Sequence, residues 1–359
     1  MEEREYAYWL SRIDGLGNAL KRRIRALYGS AERAFKAGKW PVPEGKAEAV
    51  EEGRRRLPEI LREWEDLPKR GLSWCGEGEA AFPARLRILA DAPLGLYYRG
   101  KLPREDLPAV GIVGARDCSD YGAGMAAEFG GNLAAHGVQI VSGMAAGIDG
   151  AAQKGALDAG GESFAVLGSG AEICYPPRHR RLYESLCARG GVISEFPPET
   201  PPLAHHFPQR NRLIAALSDQ LLVMEAREKS GSLITVDQAL EMGRDIWALP
   251  GRVGDERSRG CLRLIRQGAA VLIEAEDVLE SLGLGGGREQ PAAQPGEGGL
   301  SLLSDPRQRA LWKRMGREAC HVEDLLEEGL GMGELTLLLW EMETAGAVAQ
   351  ISPGRYRRL

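Results

Sequence analysis

The stretch HHFPQRNRLIAALSD, His205 to Asp219, sets two guanidinium groups, Arg210 and Arg212, either side of Asn211 and just after Phe207. Arginine's planar fork meets a phosphate bidentately and can stack on a flat ring. An aromatic face is what an unpaired base needs. Cations at a helix start oppose its dipole, so their placement asks for a reason. Two readings follow: a solvated helix start, or a site for an anion with flat faces. Phe207 itself could equally be core, and Asn211 a local backbone hydrogen-bonder.

Further candidates lie in glycine-rich segments that follow apolar runs. IVGARDCSDYG supplies Gly114 and Arg116, VSGMAAGIDGAAQ supplies Ser142 and Gly143, and VLGSGAEICYP supplies Gly168. EKSGSLITVDQ supplies Lys229, Ser230, Gly231 and Ser232. Glycine lets a backbone come close to a ligand, and amides at helix starts favour anions. One such loop is only a turn, but five along one edge, LPGRVGDERSRG being the fifth, are harder to dismiss. Arg116 has a plainer reading as the partner of Asp117 or Asp120. Neither G-x-G-x-x-G with a following acid nor G-x-x-x-x-G-K-[ST] occurs, which disfavours standard dinucleotide or ATP use. The run Arg178 to Arg181 reads better as a solvated helix face.

The elements that must carry these residues are legible. AVGIVGA, VQIVSG, SFAVLGSG, GVISEF, QLLVMEA, DIWALPG and AAVLIE alternate with helical patterns such as YGAGMAAEFGGNLAAHG. Strands buried on both faces and separated by helices predict an α/β fold, a Rossmann-like, doubly wound, mostly parallel sheet. Ligands bind such sheets at the carboxyl ends of the strands. The segment PLGLYYRG reads as an irregular lead-in.

Four parts are expected. Residues 1–67 are helical; a Gly-Leu-Gly turn before a basic helix suggests either a helix-hairpin-helix, whose amides meet a phosphate, or a small packing domain. Residues 68–284 hold the sheet, and 285–299, rich in Gly and Pro, form a flexible linker. Residues 300–359 read as three helices (PRQRALWKRM, HVEDLLEEG, GELTLLLWEMETAG) and a hairpin turning at Pro353-Gly354, which suggests a winged helix.

Charge sets a constraint. The 359-residue chain carries a net charge of -5. Residues 109–283 hold 16 Lys and Arg against 22 Asp and Glu, an excess of 22 − 16 = 6 negative charges. A phosphate chain is repelled unless the few arginines gather in one groove. From Leu300 onward eight basic residues face nine acidic ones, too balanced for a duplex-gripping winged helix, so a protein-contact or auxiliary role is favoured, with basic RYRRL leaving DNA open. Six scattered cysteines and five histidines, with no C-x-x-C, argue against a metal site and for reduced thiols in a cytoplasmic protein. The start lacks a signal peptide's layout, and no apolar run reaches membrane-spanning length. No cofactor is expected.

Taken together, GIVGARDCSDYG, VSGMAAGIDGAA, AVLGSGAEICYP, ISEFPPETPPLAHHFPQRNRLIAALSD, LLVMEAREKSGSLITVDQALEMGRDIWALPG and SRGCLRLIRQGAAVL, in that order, resemble the DNA-processing protein A family (DprA, also called Smf). The resemblance covers almost the whole middle part. It implies a non-catalytic cytoplasmic protein of bacterial transformation and recombination. Such a protein binds single-stranded DNA, forms dimers and loads RecA recombinase onto strands coated by single-strand-binding protein. It puts Arg116, Phe207, Arg210, Arg212, Lys229 and the Ser230–Gly231–Ser232 turn in a DNA groove. It also puts Leu262, Leu264 and Ile265 near a dimer contact that overlaps the RecA surface, although as pattern they form an amphipathic helix packing on a core. Two positions depart from the family: Gln153 stands where histidine is usual and Leu262 where asparagine is usual.

An enzyme reading competes. SGSLITVDQ resembles the G-G-x-G-T-x-x-E loop of lysine-decarboxylase-like phosphoribohydrolases, which cleave nucleoside monophosphates. The carboxylate that chemistry needs falls at Gln238, counting from Thr235, and an amide is no general base near neutral pH. Asp237 is one residue off, about 100° around a helix. On the binding reading, Arg212→Ala is expected to weaken DNA binding and its salt dependence.

Overall fold

Seven short runs of Val, Ile, Leu and Ala form the parallel centre of a nine-stranded sheet. The computed structural model describes residues 1–37, 40–284, 303, 305–315, 320–326, 330–345, 347–352 and 355–358. The chain divides into two units, Met1–Gly285 and Gly286–Leu359. The linker expected at 285–299 lies outside the described residues.

In the first unit, helices α1 (Glu3–Ser11), α2 (Asn18–Tyr28), α3 (Ala31–Ala37), α4 (Ala47–Arg55) and α5 (Leu57–Asp66) precede strands β1 (Ser73–Gly76) and β2 (Gly95–Gly100). Then come β3 (Ala109–Val113), α6 (Asp120–Ala135), β4 (Gln139–Ser142), α7 (Ile148–Asp158), β5 (Ser163–Val166), α8 (Arg180–Arg189) and β6 (Gly191–Ser194). The chain continues through α9 (His206–Leu217), β7 (Gln220–Val223), α10 (Ser232–Glu241), β8 (Asp245–Ala248), α11 (Arg259–Arg266), β9 (Ala270–Val271) and α12 (Ala275–Ser281).

The strand order is β1-β2-β6-β5-β4-β3-β7-β8-β9. From β6 to β9 every pairing is parallel. PLGLYYRG, expected to be irregular, contributes β2, which pairs antiparallel with both β1 and β6. The reason lies in its neighbours: an antiparallel strand needs no helical crossover, so it lacks the β-α rhythm that marks the other strands.

Side-chain alternation builds a core on each face. Val110 and Ile112 of β3 point to Phe129 and Leu133 of α6, Ala152 of α7 and Val278 of α12. Ala109 and Val113 point to Leu213 and Ile214 of α9, Val236 of α10 and Leu264 of α11. The five N-terminal helices share their core with β1 and β2. Tyr8 packs on Trp64 and Trp74 at ring-centroid distances of 5.0 and 5.4 Å. Between β3 and β7 the connection order reverses, which is where an open α/β sheet leaves a crevice. Among the described residues no helix is long and apolar enough to cross a membrane.

The second unit comprises helix Pro306–Arg314, strand β10 (Cys320–His321), a 3-10 turn Val322–Leu325, helix Met332–Thr344 and strands β11 (Val348–Ser352) and β12 (Arg355–Arg358). Its antiparallel sheet runs β10-β12-β11. Of three expected helices, HVEDLLEEG forms only the short turn, after which residues 327–329 lie outside the described set. The turn at Pro353-Gly354 also lies outside it.

Helices α6 and α7 meet backbone to backbone. A Cβ at Gly155 would stand 2.0 Å from the carbonyl oxygen of Ala127, whereas one at Gly124, exposed on α6, would meet nothing within 4 Å. Gly155→Ala is therefore expected to lower unfolding free energy by about 1–3 kcal/mol. Gly124→Ala should raise it by about 0.4–1 kcal/mol, since Ala restricts the unfolded chain and favours helix. Paired urea titrations check both signs.

Candidate nucleic-acid interface

A cleft of about 560 Å³ opens at the carboxyl ends of β3, β4 and β7, where the order reverses. Its walls come from Gly114 and Arg116 after β3, Ala145 and Asp149 after β4, and the Ser230–Ser232 turn at the start of α10. The first turns of α9 close one side with Phe207, Arg210 and Asn211.

Helical spacing decides which α9 residues face it. Phe207 and Arg210 are three apart and share a face, while Arg212 is two further on, about 200° around. The Arg116 guanidinium carbon lies over the Phe207 ring at 5.0 Å from its centroid, and that of Arg210 at 5.9 Å. Tyr175 adds a second ring at 5.7 Å. Arg116 is exposed, and of the two carboxylates offered to it by sequence Asp117 pairs with Arg227 at 3.2 Å and Arg257 at 3.5 Å, while no ion pair joins Arg116 to Asp120 among the described residues.

Arg210 is only 3% exposed. Its Nη1 donates to the carbonyls of Gly143 (3.0 Å) and Val166, and its Nε to Asn211 Oδ1 (3.2 Å). The Gly143 N–H donates to Asp149 Oδ2 at 3.1 Å, so the two backbone groups of one residue meet the buried cation and the buried carboxylate. Burial pushes the Arg210 guanidinium down to about 10, against the pull of Asp149. Burial likewise holds the Asp149 carboxyl above its ordinary range, opposed by Arg210 and by the Ala145 and Gly143 amides.

The loop that presents Arg116 is pinned by Glu225, itself buried. The Ser119 N–H donates to its carboxylate at 2.8 Å and the Ala115 N–H to its backbone carbonyl at 2.7 Å. Most strand-end amides expected to greet an anion are thus used internally. At the α10 start Gly231 and Ser232 line the cleft; the Ser232 N–H donates to Ser230 Oγ at 3.4 Å, and the Ser230 and Ser232 hydroxyls lie 2.7 Å apart.

The other sequence candidates sort as follows. Ser142 is buried, its hydroxyl donating to the Ile112 carbonyl at 2.6 Å. Gly168 sits behind the Phe207 ring, where a Cβ would stand 3.1 Å from it. Lys229 is exposed beside the α10 turn but is not part of the cleft wall. Arg212 is a correction. Its guanidinium leaves the cleft, bridging Glu195 at 2.7 Å and Asp91 at 3.0 Å on the opposite face of α9. Leu264 is a second correction, since it is buried in the core. Ile265 packs partly against that core and Leu262 is half-buried. The exposed apolar side chains at this sheet edge are Leu240, Val271 and Ile273. The Gly-Leu-Gly turn does precede α2, but carboxylates of Asp14, Asp91 and Glu195 share its surroundings.

Sequence reasoning missed Tyr175, Asp149 and Glu225. Tyr175 was visible as an aromatic at the end of a glycine-rich strand segment, and Asp149 as an acid just inside a helix start. Nothing local marked Glu225, which acts on a loop about a hundred residues earlier. Among the described residues no three His, Cys, Asp or Glu side chains gather to hold a metal. Asp149 is the one carboxylate of the cleft wall; Asp237 is exposed outside it.

The chain matches the family described as DNA recombination-mediator protein A over residues 74–283. It is 32% identical to Protein Smf of Synechocystis sp. across the full length of both chains. It is 41% identical to Protein Smf of Escherichia coli, covering 77% of this chain and 75% of that one. The solved DNA processing protein A of Streptococcus pneumoniae superposes with a TM-score of 0.63 at 33% identity, over 77% of this chain and 97% of that one. The DNA processing protein A of Helicobacter pylori, solved for its single-stranded DNA binding mode, gives 0.54 at 28% identity, over 59% and 95%. This chain therefore belongs to the DNA recombination-mediator protein A family.

Proposed function

We propose that this protein binds single-stranded DNA in the β3/β7 cleft as a recombination mediator, without catalysis. The observation that carries the reading is Phe207, an aromatic ring in an open groove with the guanidinium carbons of Arg116 and Arg210 at 5.0 and 5.9 Å from its centroid. Stacking on a ring requires an unpaired base, and the exposed Arg116 suits a phosphate beside it. The Helicobacter pylori relative, described by its single-stranded DNA binding mode, supports the same ligand class. Family resemblance extends the proposal to a cytoplasmic homodimer that loads RecA recombinase onto strands coated by single-strand-binding protein. Leu240, Val271 and Ile273 at the β9 edge supply apolar surface for such contacts. The second unit, with its balanced charge, is assigned a protein-contact or auxiliary role as a winged helix.

The phosphoribohydrolase alternative needs a free carboxylate at the α10 loop. Gln238 stands there, and Asp149 is engaged by two backbone amides. Incubation with AMP is expected to release no adenine; steady release would overturn the non-catalytic reading.

Phe207→Ala is expected to weaken binding of an unstructured oligonucleotide roughly 5- to 150-fold, the equivalent of about 1–3 kcal/mol of stacking. Arg116→Gln should lower the slope of log affinity against log salt by about 0.7, one phosphate contact on a single strand. Fluorescence anisotropy across a salt series reads both.

Arg212 is expected to behave otherwise. Arg212→Met leaves Glu195 buried without its cation, costing on the order of 3 kcal/mol at neutral pH while short-strand affinity stays unchanged. Burial already holds the Glu195 carboxyl above its ordinary range, with Arg212 pulling it back. Without Arg212 it rises further and takes up a proton in the fold before it would in the unfolded chain. The deficit relative to the parent protein should therefore be largest above that raised value and shrink as pH falls through it. Denaturation midpoints at neutral and mildly acidic pH measure the trend.

A further inference from the structure

Helix α2 carries Lys21, Arg22, Arg23 and Arg25 and no acidic residue. Lys21 turns inward, its amine donating to the Ser11 carbonyl at 2.6 Å. Arg22 and Arg25, three apart on one face, both reach Glu77, at 2.8 and 3.6 Å. Together with Arg23 and Arg87 they line a concavity of about 500 Å³. Arg23 and Arg87 are exposed, and among the described residues neither guanidinium has a partner. Four guanidinium groups against one carboxylate leave 4 − 1 = 3 positive charges, on a chain whose total is -5.

Like charges gathered in a hollow repel one another, and the fold gains nothing from leaving two unpaired. Arginine is also the residue whose fork fits a phosphate. The concavity is tied to the cleft by a short chain of contacts. Arg22 Nη1 donates to the Leu89 carbonyl at 3.0 Å, and Asp91, two residues on, holds Arg212 of α9 at 3.0 Å. The other face of α9 bears Phe207 and Arg210. The contacts from the concavity to the cleft thus run through Leu89, Asp91 and α9.

We propose that this concavity is a second phosphate subsite, occupied by the backbone of single-stranded DNA extending out of the cleft. The inference rests on the cleft binding single-stranded DNA. Bases need no pocket here, since no aromatic ring lines the hollow and only phosphate chemistry is offered.

The test uses the full chain and an Arg23→Gln/Arg87→Gln variant, both titrated with oligo(dT) of about 5 and about 30 nucleotides across salt. Both substituted side chains are exposed and unpaired, so equal thermal midpoints are expected. With the long strand, the variant's salt slope should fall by about 1.4, two contacts at about 0.7 each. With the short strand, which fills only the cleft, it should match the parent. Equal slopes at both lengths overturn the proposal, as does an equal loss at both lengths, which would mean a diffuse field rather than a subsite. A loss confined to duplex DNA overturns the single-strand assignment. Failure of the cleft reading looks different: the short strand would then be indifferent to Phe207→Ala.

Discussion

The cleft depends on a cation buried beneath its floor. Arg210 leaves α9 to reach carbonyls at the ends of β4 and β5, and Gly143, whose carbonyl accepts from it, donates its own N–H to Asp149. A buried guanidinium is costly, and apolar replacements for buried ion pairs are often as stable or more so. What the apolar alternative could not do is fix three things at once. It would not tie the start of α9 to two strand ends, hold the β4 loop by its amides, or place positive charge under the Phe207 ring. The rest of the cleft wall hangs from that arrangement.

The same contacts change the physics of anion attraction. Glycine-rich strand ends invite the idea that bare amides do the work. Here Gly143 and Ala145 donate to Asp149, and Ala115 and Ser119 to Glu225. The amides are used to shape loops. On the proposed reading, attraction to a phosphate chain in so acidic a domain would then rest on Arg116 and on the charge beneath Phe207. An affinity built on few guanidinium groups falls only shallowly with salt, and stacking carries a correspondingly larger share of it.

All seven parallel strands were legible because each is a short apolar run, most of them beside a glycine, in a chain that alternates such runs with helical periods. The antiparallel pair β1 and β2 was not, since it lacks that rhythm and is set by pairing with β6. Phe207, Arg210 and Arg116 could be named from residue type. Their division of labour could not. Whether an arginine faces a ligand or an internal carboxylate depends on partners far along the chain, Asp91 and Glu195 for Arg212, Asp149 for Arg210. Glu225 was invisible for the same reason, as its role exists only once β3 and β7 lie side by side. Leu264 was read through its family resemblance as a contact residue, whereas the amphipathic pattern of α11 alone places it inward.

Gln153 and Leu262, the two positions at which the resemblance implies another residue, both lie on helices beside the sheet. Gln153 is fully buried on α7, and neither polar atom of its amide finds a partner among the described residues. A buried unsatisfied amide costs about 1–3 kcal/mol, so the fold tolerates a local penalty at this helix. Leu262 is half-buried on α11. Neither residue belongs to the cleft wall. The groups that would meet a base and its phosphates come from the β3 loop, the α9 start and the α10 turn, and none of these needs the side chain at 153 or 262. Both departures thus lie in the packing around the cleft, away from Phe207 and Arg116.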